Sequence, residues 1–151
     1  MAKQSLQEFF RQKKQRSGGD MDWPARKTEW LRSIQDLYRI ITDDYLAGPI
    51  AEGSVVVSQG DKTIVEEFIG QYIAPELTLQ VGDEKVVFSP KGTNIVGASG
   101  RIDLIGEMGI KTLVVQRDGR WGIVATRTPT LKVVPLDKES LLSALKEVMR
   151  P

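Results

Sequence analysis

Arg101 and Asp103 are the residues of this sequence whose charges and spacing most clearly suit recognition. Residues two apart in a β-strand point to the same face of a sheet, so this pair would share one face while Ile102 and Leu104 share the other. Either the pair forms a salt bridge on a solvated face, which is the favoured interpretation, or it lines a partly buried cleft. Both alternatives make it a candidate recognition site.

Trp121 and Arg127 form a second candidate for recognition. Trp121 would share one strand face with Ile123 and Ala125, and Arg127 follows the same segment. A tryptophan on a sheet with arginines nearby can stack on nucleobases or anchor a protein partner, but such a residue more often belongs to the core. We therefore expect a core position for Trp121 and keep recognition as the alternative.

Three motif-like segments fail in detail as catalytic or phosphate-binding sites. Residues 92–100 have the glycine spacing of a phosphate loop, but an alanine replaces its lysine and a strand follows instead of a helix. Glu66 and Glu67 are adjacent in a predicted strand and point to opposite faces, so they cannot act on one bond. Ser143 and Lys146 match the S-x-x-K pattern without the other motifs of Ser/Lys hydrolases. None of the three is therefore predicted to act as such a site.

The composition restricts the chemistry further. The chain of 151 residues has no cysteine and no histidine. This excludes disulfides, thiolate nucleophiles and zinc sites built on cysteine, and it removes the commonest general base and transition-metal ligand. The sequence therefore predicts no catalytic residue, no cofactor and no metal site, and it favours a protein that is not an enzyme.

The helices that would position these residues follow from apolar spacing. Asp22 is a suitable N-cap, and apolar residues spaced by three and four predict a helix from there to about Leu46. A second amphipathic helix begins at Asp137. The buried face of the first helix is predicted to consist of Trp30, Ile34, Leu37, Ile41 and Tyr45.

Residues 54–135 consist of short β-rich runs separated by glycines. Gly82-Asp83, Met108-Gly109 and Asp118-Gly119 favour tight turns between antiparallel strands. No helix-length segment separates the runs, which argues against parallel crossovers. The sequence therefore predicts an α+β fold: a long N-terminal helix packed on a mostly antiparallel sheet or partly open barrel of about seven or eight strands, and a C-terminal helix.

Residues 1–20 are predicted to form a basic segment, linked by a hinge at residues 17–20 to a single domain over residues 21–151. The sequence Ser5-Leu6-Gln7-Glu8 has the form of a capping box, and the helix that it starts would reach about Gln15. A helix of about ten residues is marginal in water, so we expect it to be ordered only when docked. Its candidate docking residues are Leu6, Phe9, Phe10, Arg11, Lys13 and Lys14.

The run GTNIVGASGRIDLIG at residues 92–106 is followed by a β-rich segment at residues 121–126 and a short C-terminal helix. Over residues 30–149 this pattern resembles an uncharacterised family of small bacterial α+β proteins with a helix, an antiparallel sheet and a helix in that order. The resemblance implies this architecture and a bacterial cytosolic origin. No activity, cofactor or catalytic residue is established for that family, so the resemblance implies none.

Three classes of function stay open. The expected one is a non-catalytic protein-binding or homo-oligomerising module, which the missing acid–base groups and the short helix in need of a docking surface both favour. The alternatives are nucleic-acid binding through the basic N-terminal segment and the sheet face, and a small enzyme that works without histidine or cysteine. A protein partner or self-association is therefore predicted. The protein is expected in the cytoplasm and away from membranes, because no run of about 18 apolar residues occurs.

Overall fold

The computed structural model describes residues 5–14, 22–93, 98–127 and 130–151, and in the first of these ranges it describes the side chains of residues 5–10 only. The predicted hinge at residues 17–20 and the side chains of Arg11, Lys13 and Lys14 lie outside the described residues.

The helices of the described chain are α1 (Leu6–Lys14), α2 (Trp23–Ile40), α3 (Ala47–Ala51) and α4 (Lys138–Val148). Asp22 caps α2 as predicted, because its Oδ1 accepts a hydrogen bond of 3.1 Å from the Ala25 amide. A π-helical turn, Ile41–Tyr45, continues α2, so the helical segment ends close to the predicted Leu46. Helix α4 starts at the predicted cap, Asp137.

The strands are β1 (Val56–Glu66), β2 (Gly70–Val81), β3 (Glu84–Gly92), β4 (Gly100–Gly106), β5 (Gly109–Val115), β6 (Trp121–Thr126) and β7 (Lys132–Pro135). They form one antiparallel sheet in the order β1 to β7. Gly82 and Gly119 have positive φ angles of 62° and 86°, which two of the three predicted tight turns require. The predicted α+β fold is confirmed, and its sheet is open rather than closed.

The core lies between the helices and one face of the sheet, which we call the core face. Trp30, Ile34, Leu37 and Ile41 of the predicted helix stripe are buried, whereas Tyr45 is only partly buried. They share one apolar cluster with side chains of the central strands and of α4. The strand residues of the core face include Phe88, Ile102, Leu104, Leu113 and Ile123. The opposite face, which carries Ser89, Asp103 and Thr112 in register, is the outer face.

Strand β2 changes its orientation at Pro75 and Glu76. Tyr72 and Ala74 are buried before this point and Leu77 after it, so the alternation of buried residues shifts by one position. The hydroxyl of the α2 residue Tyr38 lies 2.9 Å from the carbonyl oxygen of Pro75, a contact that fixes the bend. As a result the far half of the β1–β2 hairpin reaches the end of β3 instead of continuing the plane of the sheet.

Candidate functional site

A cleft opens on the outer face where β5 and β6 separate. Strand β5 pairs with β4 along its whole length, but its pairing with β6 ends at Leu113 opposite Ile123. The cause lies in β6, whose pairing with β7 shifts between Val124 and Thr126, because such a bulge bends a strand away from its neighbour. The resulting recognition cleft has a volume of about 460 Å³ and is lined by polar side chains of Arg101, Asp103, Thr112 and Arg127 beside the apolar Ile110 and Val124.

The predicted pair Arg101 and Asp103 lies at the bottom of the recognition cleft. Nε and Nη2 of Arg101 donate to Oδ1 and Oδ2 of Asp103 at 2.9 and 3.1 Å. The Asp103 side chain is 7% exposed and the Arg101 side chain 34%. The pair is therefore a salt bridge, as the favoured interpretation expects, and it lines a partly buried cleft, as the alternative expects. Its role in recognition stays a prediction.

Thr112 joins this salt bridge to Arg127. Its hydroxyl donates to Oδ1 of Asp103 at 3.2 Å and accepts from Nη2 of Arg127 at 2.7 Å. Sequence reasoning missed Thr112, because the turn lies one residue earlier than predicted. It is formed by Glu107 and Met108 instead of Met108 and Gly109, so Gly106 pairs with Gly109 and Thr112 lies opposite Asp103.

Trp121 lies apart from the other three candidate residues. Its ring is partly buried against the core cluster, with its centroid 6.2 Å from that of Trp30 on α2. Trp121 and Arg127 would share a face if the strand alternated without interruption, but the bulge between Val124 and Thr126 shifts the alternation. The structure therefore brings Arg101, Asp103 and Arg127 together and places Trp121 on the core face, where we expected an aromatic residue of this kind.

A lysine of β1 reaches the same outer face. Nζ of Lys62 donates to Oγ of Ser89 and to the carbonyl oxygen of Pro90, both at 2.7 Å. Burial and the neighbouring Lys91 lower the pKa of Lys62, against the opposing charges of Glu76 and Asp103. The surroundings of Asp103 are therefore cationic beyond the recognition cleft itself.

A second polar cluster, the Glu66 network, lies under the N-terminal half of α2. Nε1 of Trp30 donates to Oη of Tyr72, which donates to Oε2 of Glu66. Oε1 of Glu66 accepts from the amide and the hydroxyl of Thr93 at 2.7 and 2.8 Å, and Nη2 of Arg26 donates to the Thr93 carbonyl. This network ties α2 to β1, to β2 and to the residue that follows β3, a structural role that the sequence did not assign to Glu66.

The Glu66 network requires glycine at position 92. A Cβ atom at this position would lie 2.9 Å from Cδ of Glu66, and the φ angle of Gly92 is +138°. Both the space and the backbone conformation therefore require glycine. Gly92, the first glycine of the run that resembles a phosphate loop, is therefore explained by its packing against the Glu66 carboxylate.

Helix α1 carries the predicted docking residues Leu6, Phe9 and Phe10. The structure shows the serine half of the predicted capping box, because the Glu8 amide donates to Oγ of Ser5 at 3.1 Å. Leu6 and Phe10 are exposed, and so is Phe9, whose ring meets that of Phe10 edge to face. Docking of this helix stays a prediction.

Neither a metal cluster nor a spanning helix is found in the ranges that the structure describes. No three Asp or Glu residues lie close enough there to hold a metal ion. No helix there is long and apolar enough to cross a membrane. Protein families, curated proteins and solved structures were compared with the chain, and none of them matches it. The resemblance to small bacterial α+β proteins therefore stays a prediction.

Proposed function

We propose that this protein is a non-catalytic module that binds a protein partner through the recognition cleft, with Arg127 as the anchor for a carboxylate of that partner. The observation that carries the proposal is the state of Arg127. Within the part of the chain that the structure describes, its side chain donates one hydrogen bond, to the Thr112 hydroxyl, and forms no ion pair. An arginine has five N–H donors, so most of its hydrogen-bonding capacity is available to a ligand.

The charges around the recognition cleft favour an anionic group. Arg101, Lys111 and Arg127 line it together with one carboxylate, that of Asp103. Lys111 is paired with Glu147 at 2.8 Å, and Asp103 is neutralised by Arg101. Arg127 therefore supplies the uncompensated charge, and arginine matches a carboxylate with two parallel hydrogen bonds.

The same contacts argue for binding rather than catalysis. Both oxygens of Asp103 accept hydrogen bonds, from Arg101 and from Thr112, so the carboxylate is held in place instead of being offered as a base. The cleft therefore provides a fixed set of hydrogen-bond donors.

Selection from a display library of short random peptides tests this function. The full chain, Arg127→Gln and Arg32→Gln are selected in parallel; Arg32 is an exposed arginine of α2 away from the recognition cleft. A charge-assisted hydrogen bond contributes about 1.5–3 kcal/mol, so Arg127→Gln should weaken binding of the enriched peptides about 10-fold or more. Arg32→Gln should bind them like the unmodified chain.

Three results would contradict the proposal. If selection on the unmodified chain enriches no peptide, the chain does not have the proposed binding function. If the enriched peptides bind Arg127→Gln with unchanged affinity, Arg127 is not the anchor. Equal weakening by Arg32→Gln would mean that only the general positive charge of the protein matters.

Self-association is the special case in which a second copy supplies the carboxylate. Sedimentation of the unmodified chain and of Arg127→Gln distinguishes it, because only the former should then form a dimer. The proposal also places the protein in the bacterial cytoplasm, a reducing compartment that the lack of cysteine fits.

A further inference from the structure

We infer that the partner enters the recognition cleft as an extended segment that pairs with the free edge of β5 and ends there in its C-terminal carboxylate. The inference rests on the proposed function and specifies how the partner's carboxylate is presented. It follows from the direction of the β5 backbone groups, from the place where β6 begins to pair, and from the sign of the charge at that place.

The backbone of β5 has an unpaired edge beside the recognition cleft. The Gln116 amide donates to the Arg120 carbonyl on the β6 side, whereas the Val115 carbonyl accepts from Ser99 on the β4 side. Backbone groups of successive strand residues point alternately to the two sides, so Ile110 also points towards β6. No strand pairs with Ile110 on that side in the part of the chain that the structure describes. Its amide and carbonyl therefore offer a place for an added strand.

The position of β6 limits how far an added strand can run. Among the described residues no strand pairs with Ile110, Lys111 or Thr112 on the side of the recognition cleft, but β6 pairs with β5 there from Leu113 onwards. A strand added in the gap therefore has to stop opposite Thr112. A chain end fits there, whereas a continuous chain would have to leave the sheet sharply.

The charge at that stopping point decides which chain end it accepts. Arg127 is bound to the hydroxyl of Thr112, the last open residue, and Arg101 lies behind it through Asp103. The positive charge of Arg127 at this position favours a carboxylate and repels the ammonium group of an N-terminus. The added segment therefore runs parallel to β5 and ends at Arg127.

The lining of the gap also indicates which residues precede the carboxylate. Ile110 is 59% exposed, and Val124 contributes the apolar wall on the opposite side. In an extended segment every second side chain would face this apolar lining. We therefore expect apolar residues near the C-terminal end of the bound segment.

Two display libraries with the same short random peptides test the inference on the full chain. In one library the peptide ends in a free carboxylate, and in the other a constant glycine–serine tail follows it. The expected result is enrichment in the first library only, with apolar residues near the free end. Equal enrichment of acidic peptides in both libraries would overturn the inference, since a side-chain carboxylate would then suffice, and the proposed function would stand. Enrichment in neither library would remove the proposed function together with the inference.

An enriched peptide with a free carboxylate then serves as the probe in two measurements. Fluorescence anisotropy compares it with the same peptide carrying a C-terminal amide, which should bind about tenfold more weakly or worse because it lacks the charge that Arg127 pairs. Hydrogen exchange by NMR follows the amide of Ile110, which should be slowed about tenfold or more at saturation with the free peptide. Equal affinities of acid and amide, or an unchanged Ile110 amide at saturation, would overturn the inference.

Discussion

The Glu66 network and the recognition cleft are built from the same three groups: a carboxylate, a threonine and an arginine. In the network, Thr93 donates to Glu66 and its carbonyl accepts from Arg26. In the cleft, Thr112 donates to Asp103 and its hydroxyl accepts from Arg127. The chemistry is the same, and the surroundings differ.

The surroundings assign these two clusters different roles. In the Glu66 network both oxygens of the carboxylate accept hydrogen bonds from within the fold, one from Tyr72 and the other from Thr93. The recognition cleft is open at Arg127, because β6 bends away from β5 there. A carboxylate whose hydrogen bonds tie a helix to strands stabilises the fold, whereas spare donors that line a cleft can bind a ligand. The predictions below test this contrast.

The largest effect is expected from Glu66→Ala. The substitution leaves the Thr93 amide and the Tyr72 hydroxyl without their acceptor beneath α2, so we expect a loss of about 3 kcal/mol in the free energy of unfolding. Glu67→Ala is the matched control, because Glu67 is the exposed neighbour on the same strand end. It should change the free energy by less than about 0.5 kcal/mol. Urea unfolding measures both, and equal losses would contradict a structural role specific to Glu66.

A smaller loss is expected from Asp103→Ala. It removes the acceptor of Arg101 and of the Thr112 hydroxyl, but Arg101 is partly exposed and water can solvate it. We expect a loss of about 2 kcal/mol in the same measurement. The double variant Arg101→Ala/Asp103→Ala should recover part of this loss, since it leaves no unpaired charge. If the stability losses of Arg101→Ala and Asp103→Ala simply add up in the double variant, the two residues do not stabilise each other.

The dependence of the unfolding free energy on pH in alkaline solution tests the Glu66 network separately. Burial and the adjacent Glu66 raise the pKa of Tyr72, and burial and Glu76 raise that of Tyr38. Because both folded-state pKa values lie above the ordinary value of about 10, the stabilisation is complete below that pH and is lost as the pH rises beyond it.

Tyr72→Phe should therefore reduce the slope of unfolding free energy against pH by about 1.4 kcal/mol per pH unit above about pH 10. Lys62, whose pKa is lowered, contributes the opposite slope below its ordinary value of about 10.4, and this contribution is common to both proteins. Urea unfolding in a pH series gives the two slopes. Identical slopes would mean that Tyr72 is not buried beside Glu66.

Local patterns predicted α2, α4 and the central strands, but not that β1 runs unbroken from Val56 to Glu66 or that β2 starts at Gly70. The spacing of Trp30, Ile34, Leu37 and Ile41 determines the face of α2, and the turn glycines divide the strands. The pairing of Arg101 with Asp103 also follows from a local rule, since both lie on one strand face. Short-range chemistry therefore accounts for most of the elements and for half of the candidate site.

The rest of the site depends on irregularities that no periodic pattern predicts. One bulge beyond Val124 separates Trp121 from Arg127, although uninterrupted alternation would have joined them. The bend at Pro75 brings Lys62 to Ser89 across an intervening strand. Both effects arise where a strand gains or shifts one residue, and this depends on how neighbouring strands pair in three dimensions.

The smallest effect on stability is expected from Arg127→Gln, and it separates the two clusters most sharply. Arg127 is exposed and its one hydrogen bond goes to a hydroxyl that keeps Asp103 as acceptor, so the free energy of unfolding should change by less than about 0.5 kcal/mol. Binding of peptides selected on the unmodified chain should nevertheless fall about 10-fold or more. In the Glu66 network the substitution Glu66→Ala should lower stability, because the carboxylate accepts hydrogen bonds from Tyr72 and Thr93. A stability loss of about 2 kcal/mol for Arg127→Gln, without any change in binding, would make the recognition cleft a second structural network and remove the distinction.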